Sequence, residues 1–281
     1  MPPPFQEWTQ ILADSLLSIS DTVAHFATLA YKKAKEASAD PLAFSLSTLK
    51  AGAFVGIGII LILTVGNGLD PPLRSIAMGA SFGIALTLVL FAGADLFTGH
   101  TMYGAHGVLT RLIGPADLGK LWAWTWVGNL LGSIALAGLF VLAGGGTILN
   151  HAHGDLLHAT AAKKMTAGAV DLFARGMLCN WLVCLAIWSS ARTSSDLAKC
   201  ILIFWCLYAF IAVGFEHSVA NMTLFSLALL SPHGPHVSIS GAAHNLLWVT
   251  AGNIMSGAFI MGWGYWRIAG RPKNAVAHAL W

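Results

Sequence analysis

Two carboxylates, Asp95 and Glu216, sit inside long apolar stretches, and the second is followed directly by a histidine, His217. An acidic side chain at the centre of a membrane helix costs about 2.5–3.5 kcal/mol on insertion scales, so its presence calls for a reason. Each acid follows a glycine by two residues, Gly93 and Gly214, and precedes a run of small or polar residues. Those runs are Thr98-Gly99-His100-Thr101 and Ser218-Val219-Ala220-Asn221. This pattern predicts an interrupted helix. An interruption leaves backbone N–H and C=O groups unpaired at membrane depth, and a carboxylate can accept hydrogen bonds from the freed N–H groups. Asp95, Glu216 and Asn221 are therefore expected to hold the breaks rather than to touch a substrate. His217 differs, because imidazole changes charge near neutrality and both donates and accepts hydrogen bonds. A lone histidine is usually a satisfied core residue; beside an intramembrane Glu at a break, it is expected to serve function. Thr98 is the hydroxyl at the other break, and half-helix N-termini attract anions.

The elements that must position these residues are membrane helices. Of 281 residues, 56% are hydrophobic and 10% charged, against roughly a quarter charged in soluble domains. Mean hydropathy is +0.70. A span needs ~20 apolar residues to cross a ~30 Å hydrocarbon core. Charge-free runs place spans at Ala51–Leu69, at Ser75–Ala94 continuing past Asp95 to Thr110, and within Leu121–Gly154. Further spans fall at Gly176–Ala191, at Cys200–Phe215 continuing past Glu216, and before Arg267. The expected class is an all-α integral membrane protein with six spans, the second and fifth interrupted near mid-membrane. No cleavable signal peptide is expected from the polar start MPPPFQEWTQ. Residues 1–40 alternate apolar positions (Phe5, Trp8, Ile11, Leu12) with polar ones, as in an amphipathic surface helix or a cytoplasmic cap. Residues 41–268 form the membrane domain and 269–281 a tail. Lys32, Lys33, Lys35, Lys50, Arg111, Lys120, Arg192, Lys199, Arg267, Arg271 and Lys273 fall on one side, against Arg74, Lys163 and Lys164 on the other. The first side is then cytoplasmic, with both termini.

The halves repeat. Trp126-Val127-Gly128-Asn129-Leu130-Leu131-Gly132 echoes Thr250-Ala251-Gly252-Asn253-Ile254-Met255-Ser256-Gly257, and Gly93-Ala94-Asp95 echoes Gly214-Phe215-Glu216. The Gly-Asn pairs are 124 residues apart and the glycines 121. Three spans per half require the second half to be inverted, and inverted repeats with broken helices are a transport architecture. Other classes fit less well. The paired Asn-Pro-Ala starts of a water or glycerol channel are absent, and no catalytic cluster or soluble output domain is visible. His151, His153 and His158 have a spacing that could bind metal, but no Cys or carboxylate cluster supports it. Cys179, Cys184, Cys200 and Cys206 read as reduced packing residues. No metal, cofactor or nucleic acid is expected.

From about Pro41 to Trp266 the sequence resembles the formate/nitrite transporter family, and looks most like its nitrite branch. The resemblance rests on Gly93-Ala94-Asp95-Leu96-Phe97-Thr98, Cys179-Asn180-Trp181-Leu182-Val183-Cys184-Leu185-Ala186-Ile187-Trp188, Gly214-Phe215-Glu216-His217-Ser218-Val219-Ala220-Asn221-Met222 and His244-Asn245-Leu246-Leu247-Trp248-Val249-Thr250. Thr98-Gly99-His100-Thr101-Met102 favours nitrite over formate members, although Gly93-Ala94-Asp95 looks more like the formate branch. The resemblance implies a homopentamer of aquaporin-like protomers in a bacterial inner membrane, each with its own pore. It further implies that His217 is the central pore histidine, that Thr98 lies on a flexible loop, and that Phe82, Leu86, Phe210 and Val183 form constrictions. By the same resemblance Asn180 is a pore amide and Lys164 an outer-vestibule lysine. The expected cargo is nitrite, moved passively or with a proton, with formate or hydrosulfide as alternatives.

Overall fold

A computed structural model of the chain describes residues 17–150 and 155–273, and all regular structure there is helical. The stripe Phe5, Trp8, Ile11 and Leu12 lies outside the described residues. Helix α1 (Ile19–Ala39) starts on Ser18, whose hydroxyl accepts from the Asp21 N–H. It buries Val23, Phe26, Ala27 and Ala30 against the rest of the chain, so its apolar face is taken up by protein rather than by lipid. Asp40 both ends α1 and caps α2 (Pro41–Gly66). The following elements are α3 (Pro71–Phe91), α4 (Phe97–Leu109), α5 (Pro115–Leu142), the short α6 (Gly146–Leu149) and α7 (Leu156–Met165). The second half has α8 (Ala169–Ala191), α9 (Asp196–Val213), α10 (Ser218–Leu229) and α11 (Ile239–Ile254). A π-helical stretch, Met255–Trp263, and α12 (Gly264–Ile268) complete it. Pro71 and Pro115 occupy first turns, where a missing N–H leaves no bond unmade.

Six helices among the described residues are long and apolar enough to cross a membrane: α2, α3, α5, α8, α9 and the continuous Ile239–Ile268. The interruptions fall after α3 and α9, at the glycine-acid positions where the sequence pattern places them. α3 has 21 residues and α9 has 18. Each is followed by a shorter helix, α4 of 13 residues and α10 of 12, too short to cross. Residues 97–107 of α4 and 218–228 of α10 are all buried. Such short helices persist at membrane depth because protein, not lipid, surrounds their open ends.

Gly93 and Gly214 make the two turns, with φ of +72° and +85°. A Cβ at either position would meet nothing within 4 Å, so the requirement is purely conformational. Gly214→Ala is expected to cost about 1–2 kcal/mol from the left-handed backbone alone. A lower Tm in detergent, with packing otherwise intact, is the result to look for.

The repeat is visible in the hydrogen bonds that pin the breaks. Asn129 Oδ1 accepts from Phe97 N at 2.8 Å, while its Nδ2 donates to the carbonyls of Thr48 (2.8 Å) and Asp95 (3.0 Å). Asn253 does the same for the other break: Oδ1 accepts from Ser218 N at 3.0 Å, and Nδ2 donates to Gly176 O (2.8 Å) and Glu216 O (3.2 Å). Asp95 N donates to Ser47 O, and Glu216 N donates to Arg175 O. The Trp126 indole donates to Thr250 Oγ1 at 3.1 Å and links the halves.

Candidate functional site

The two short helices meet end to end. His217 is the N-cap of α10: its Nδ1 accepts from Ala220 N at 3.1 Å. That bond requires a lone pair on Nδ1. The ring proton of a neutral His217 is therefore on Nε2, assigned from the network, and donates to Thr98 Oγ1 at 3.1 Å. Thr98 is in the first turn of α4, so both helix N-termini point at this contact with their partial positive charge. Asn129, Asn253 and the His217 ring take up Phe97 N, Ser218 N and Ala220 N. Among the described residues, the first-turn amides of Thr98 and Val219 have no such acceptor.

His217 separates two cavities. One, of about 160 Å³, is lined by Ile59, Met78, Thr160, Lys164, Phe210, His217 and Asn221, among others. The other is only about 10 Å³ and is lined by Phe82, Leu86, Leu96, Val183, Leu207, Phe210 and His217. The smaller one holds about one water at most. Phe82 and Phe210 pack edge to face at 5.4 Å, and Phe210 stacks on the His217 ring at 6.0 Å. The four residues expected to form constrictions thus line one narrow apolar chamber on which the histidine opens. Asn180 is fully buried beside it. Its Nδ2 donates to Thr101 Oγ1 (2.9 Å) and Asn253 O (2.7 Å), with a longer contact to Thr98 O (3.3 Å). Thr101 Oγ1 in turn donates to Thr98 O at 2.6 Å. Asn180 therefore holds the Thr98 backbone in place.

Each break carboxylate has a lysine. Lys164 Nζ lies 2.8 Å from Glu216 Oε1, and Asn221 Nδ2 donates to Glu216 Oε2 at 2.6 Å. The Lys164 side chain is 20% exposed, so the same lysine faces the larger cavity while paired. At the other break, Lys33 Nζ lies 3.2 Å from the Asp95 carboxylate, Ser47 Oγ donates at 2.6 Å and His100 Nε2 sits at 3.0 Å. Burial depresses the Lys33 ammonium, but Asp95 and Glu36 outweigh it and hold its pKa above the usual value. Lys33, Ser47, His100, Asn129 and Asn253 were not singled out as site residues by sequence reasoning, although the echoed Gly-Asn pairs pointed at the two amides. Of the outer-loop histidines, His151 and His153 lie outside the described residues, and His158 contacts Asp155 (2.7 Å) and Ser231 (2.9 Å).

Two half-helices, two paired carboxylates and a histidine lining both cavities thus make up the centre of the chain. The family model described as "Formate/nitrite transporter" matches residues 21–267. This chain belongs to that family. The chain is 50% identical over 261 residues to the nitrite transporter NirC of Escherichia coli, covering 92% of this chain and 95% of that protein. It is 29% identical over 259 residues to the E. coli formate channel FocA, covering 85% and 90%. Among solved structures, an FNT family ion channel superposes with a TM-score of 0.85 at 49% identity, covering 88% of this chain and 98% of that one. A pentameric formate channel with formate bound superposes at 0.69 with 27% identity, covering 80% and 96%. The chain is an integral membrane protein of this family's fold, and its relatives are transporters and channels.

Proposed function

We propose that this protein carries nitrite across a bacterial inner membrane, through a pore in each protomer of a homopentamer, with both termini in the cytoplasm. The Thr98–His217 contact at two converging helix N-termini, between two cavities, carries this reading. Desolvating an anion costs several kcal/mol, and two devices lower that cost here. Lys164 raises the local anion concentration in the outer cavity. At the centre, the Nε2–H of His217 and the Thr98 hydroxyl hydrogen-bond the anion where helix dipoles favour it. Flux is linked to protons as follows. The ring takes a proton at Nδ1, releasing the Ala220 amide. The Nε2–H bond then breaks as an O–H bond forms on the anion. A neutral acid crosses the chamber lined by Phe82, Leu86, Val183 and Phe210, and a neutral ring remains. Lipid surrounds the six spans, and the protomer pairing rests on the pentameric relative. Nitrite is preferred to formate because the relatives at about 50% identity are named nitrite transporters, while named formate channels are nearer 30%. Uptake into proteoliposomes of nitrite, formate and hydrosulfide, compared at equal concentration, tests the choice. Nitrite should be fastest; faster formate or hydrosulfide would overturn it.

A further inference from the structure

The two breaks share a plan but differ at several positions, one of which bears on their charge. Five residues after the carboxylate, the second break has an amide, Asn221 on Glu216, and the first has an imidazole, His100 on Asp95. Both side chains are buried, His100 completely. The Asp95 carboxylate can only accept, so His100 Nε2 carries a proton and donates to it. The other ring nitrogen, Nδ1, is buried without a hydrogen-bond partner.

The charge balance follows. With His100 neutral, each buried cluster pairs one lysine with one carboxylate, Lys33 with Asp95 and Lys164 with Glu216. An amide cannot change that balance at any physiological pH. An imidazole can, because its unpartnered Nδ1 is a site for a second proton, which would add one positive charge to the first cluster. The groups facing His100 are few. The Asp95 carboxylate and Lys33, with Glu36 behind it at 3.0 Å, form one side. Tyr103 on its own helix lies 4.9 Å away ring to ring. α2 contributes Phe44 (6.4 Å) and, through Asp95, Ser47; α5 contributes the Trp122 indole on the His100 carbonyl; α8 contributes Cys184 on Thr98 O. His100 stands two residues from Thr98 on α4, so added charge there is felt at the anion's inner approach.

We propose that His100 is a proton-responsive positioning residue: it fixes Asp95 at the inner break and, when protonated, raises anion occupancy on the cytoplasmic side, a response the outer break lacks because Asn221 takes the equivalent place. This rests on the transport reading above.

The test uses inside-out membrane vesicles containing the full chain, where buffer meets the cytoplasmic face. Initial nitrite uptake is measured from pH 8 to 5.5 at fixed lumenal pH, each variant normalised to its own rate at pH 8. His100→Asn copies the second break into the first. The wild-type rate relative to H100N should rise about three- to tenfold towards pH 5.5, the scale of one charge roughly 10 Å away after screening. A constant ratio would overturn the proposal. Asn221→His provides the second arm: in right-side-out vesicles, with each rate normalised to its own value at pH 8, the N221H rate relative to wild type should change as the external pH falls, and a constant ratio would also count against it. An absence of nitrite flux in the wild type at every pH and in both orientations would instead sink the transport reading, and the proposal with it.

Discussion

His217→Asn should lower nitrite flux by roughly 10- to 100-fold and remove its response to a proton gradient, while the protein still folds. Asparagine is a good N-cap, so its side-chain oxygen can replace Nδ1 as the acceptor for Ala220 N–H. It cannot replace the proton that Nε2 holds towards Thr98. A hydrogen bond to a charged group contributes about 1.5–3 kcal/mol, which corresponds to that range of rates if it is lost at the barrier. His217→Ala, by contrast, also loses the cap and should melt earlier than H217N by about 1 kcal/mol of stability. Comparing the two by thermal unfolding and by flux separates the structural role of the ring from its role towards the anion.

Lys164→Met should destabilise the protein by about 3–5 kcal/mol, because it strands the Glu216 carboxylate, which is 2% exposed, without its cation. Adding Glu216→Gln should recover most of that loss, since the amide needs no counter-charge and Asn221 remains beside it. The double variant should nevertheless transport nitrite more slowly than wild type at low substrate concentration, because the larger cavity has lost its lysine. Recovery of stability without recovery of flux would show that Lys164 does both jobs. Full recovery of flux would reduce it to a partner of Glu216.

Much of the site was legible in the sequence because charge in an apolar run is conspicuous. Asp95, Glu216 and His217 stand out against long stretches without Asp, Glu, Lys or Arg. The carboxylates do not take the freed N–H groups as expected: Asp95 bonds His100, Ser47 and Lys33, Glu216 bonds Asn221 and Lys164, and Asn129 and Asn253 accept from Phe97 N and Ser218 N instead. What the sequence hid has physical causes. Asn129 and Asn253 look like packing residues of glycine-rich segments, and only three-dimensional proximity shows each amide satisfying a broken backbone. Lys33 reads as one of several cytoplasmic basic residues; it reaches Asp95 only because α1 packs against the membrane domain. α3 and α9 start ahead of the charge-free runs Ser75–Ala94 and Cys200–Phe215, although their lengths are close to those runs. Pro71 starts α3 ahead of Arg74, and α9 begins at Asp196 ahead of Lys199, so charge marked neither start. The π-helical turn Met255–Trp263 carries no signature in its residues.

The measurement closest to the central claim is nitrite uptake into proteoliposomes with and without an imposed pH gradient, acid outside, for wild type and H217N. The account predicts that the gradient accelerates the wild type and has no effect on a much slower H217N. Equal wild-type rates with and without the gradient, together with an H217N rate matching wild type, would contradict it.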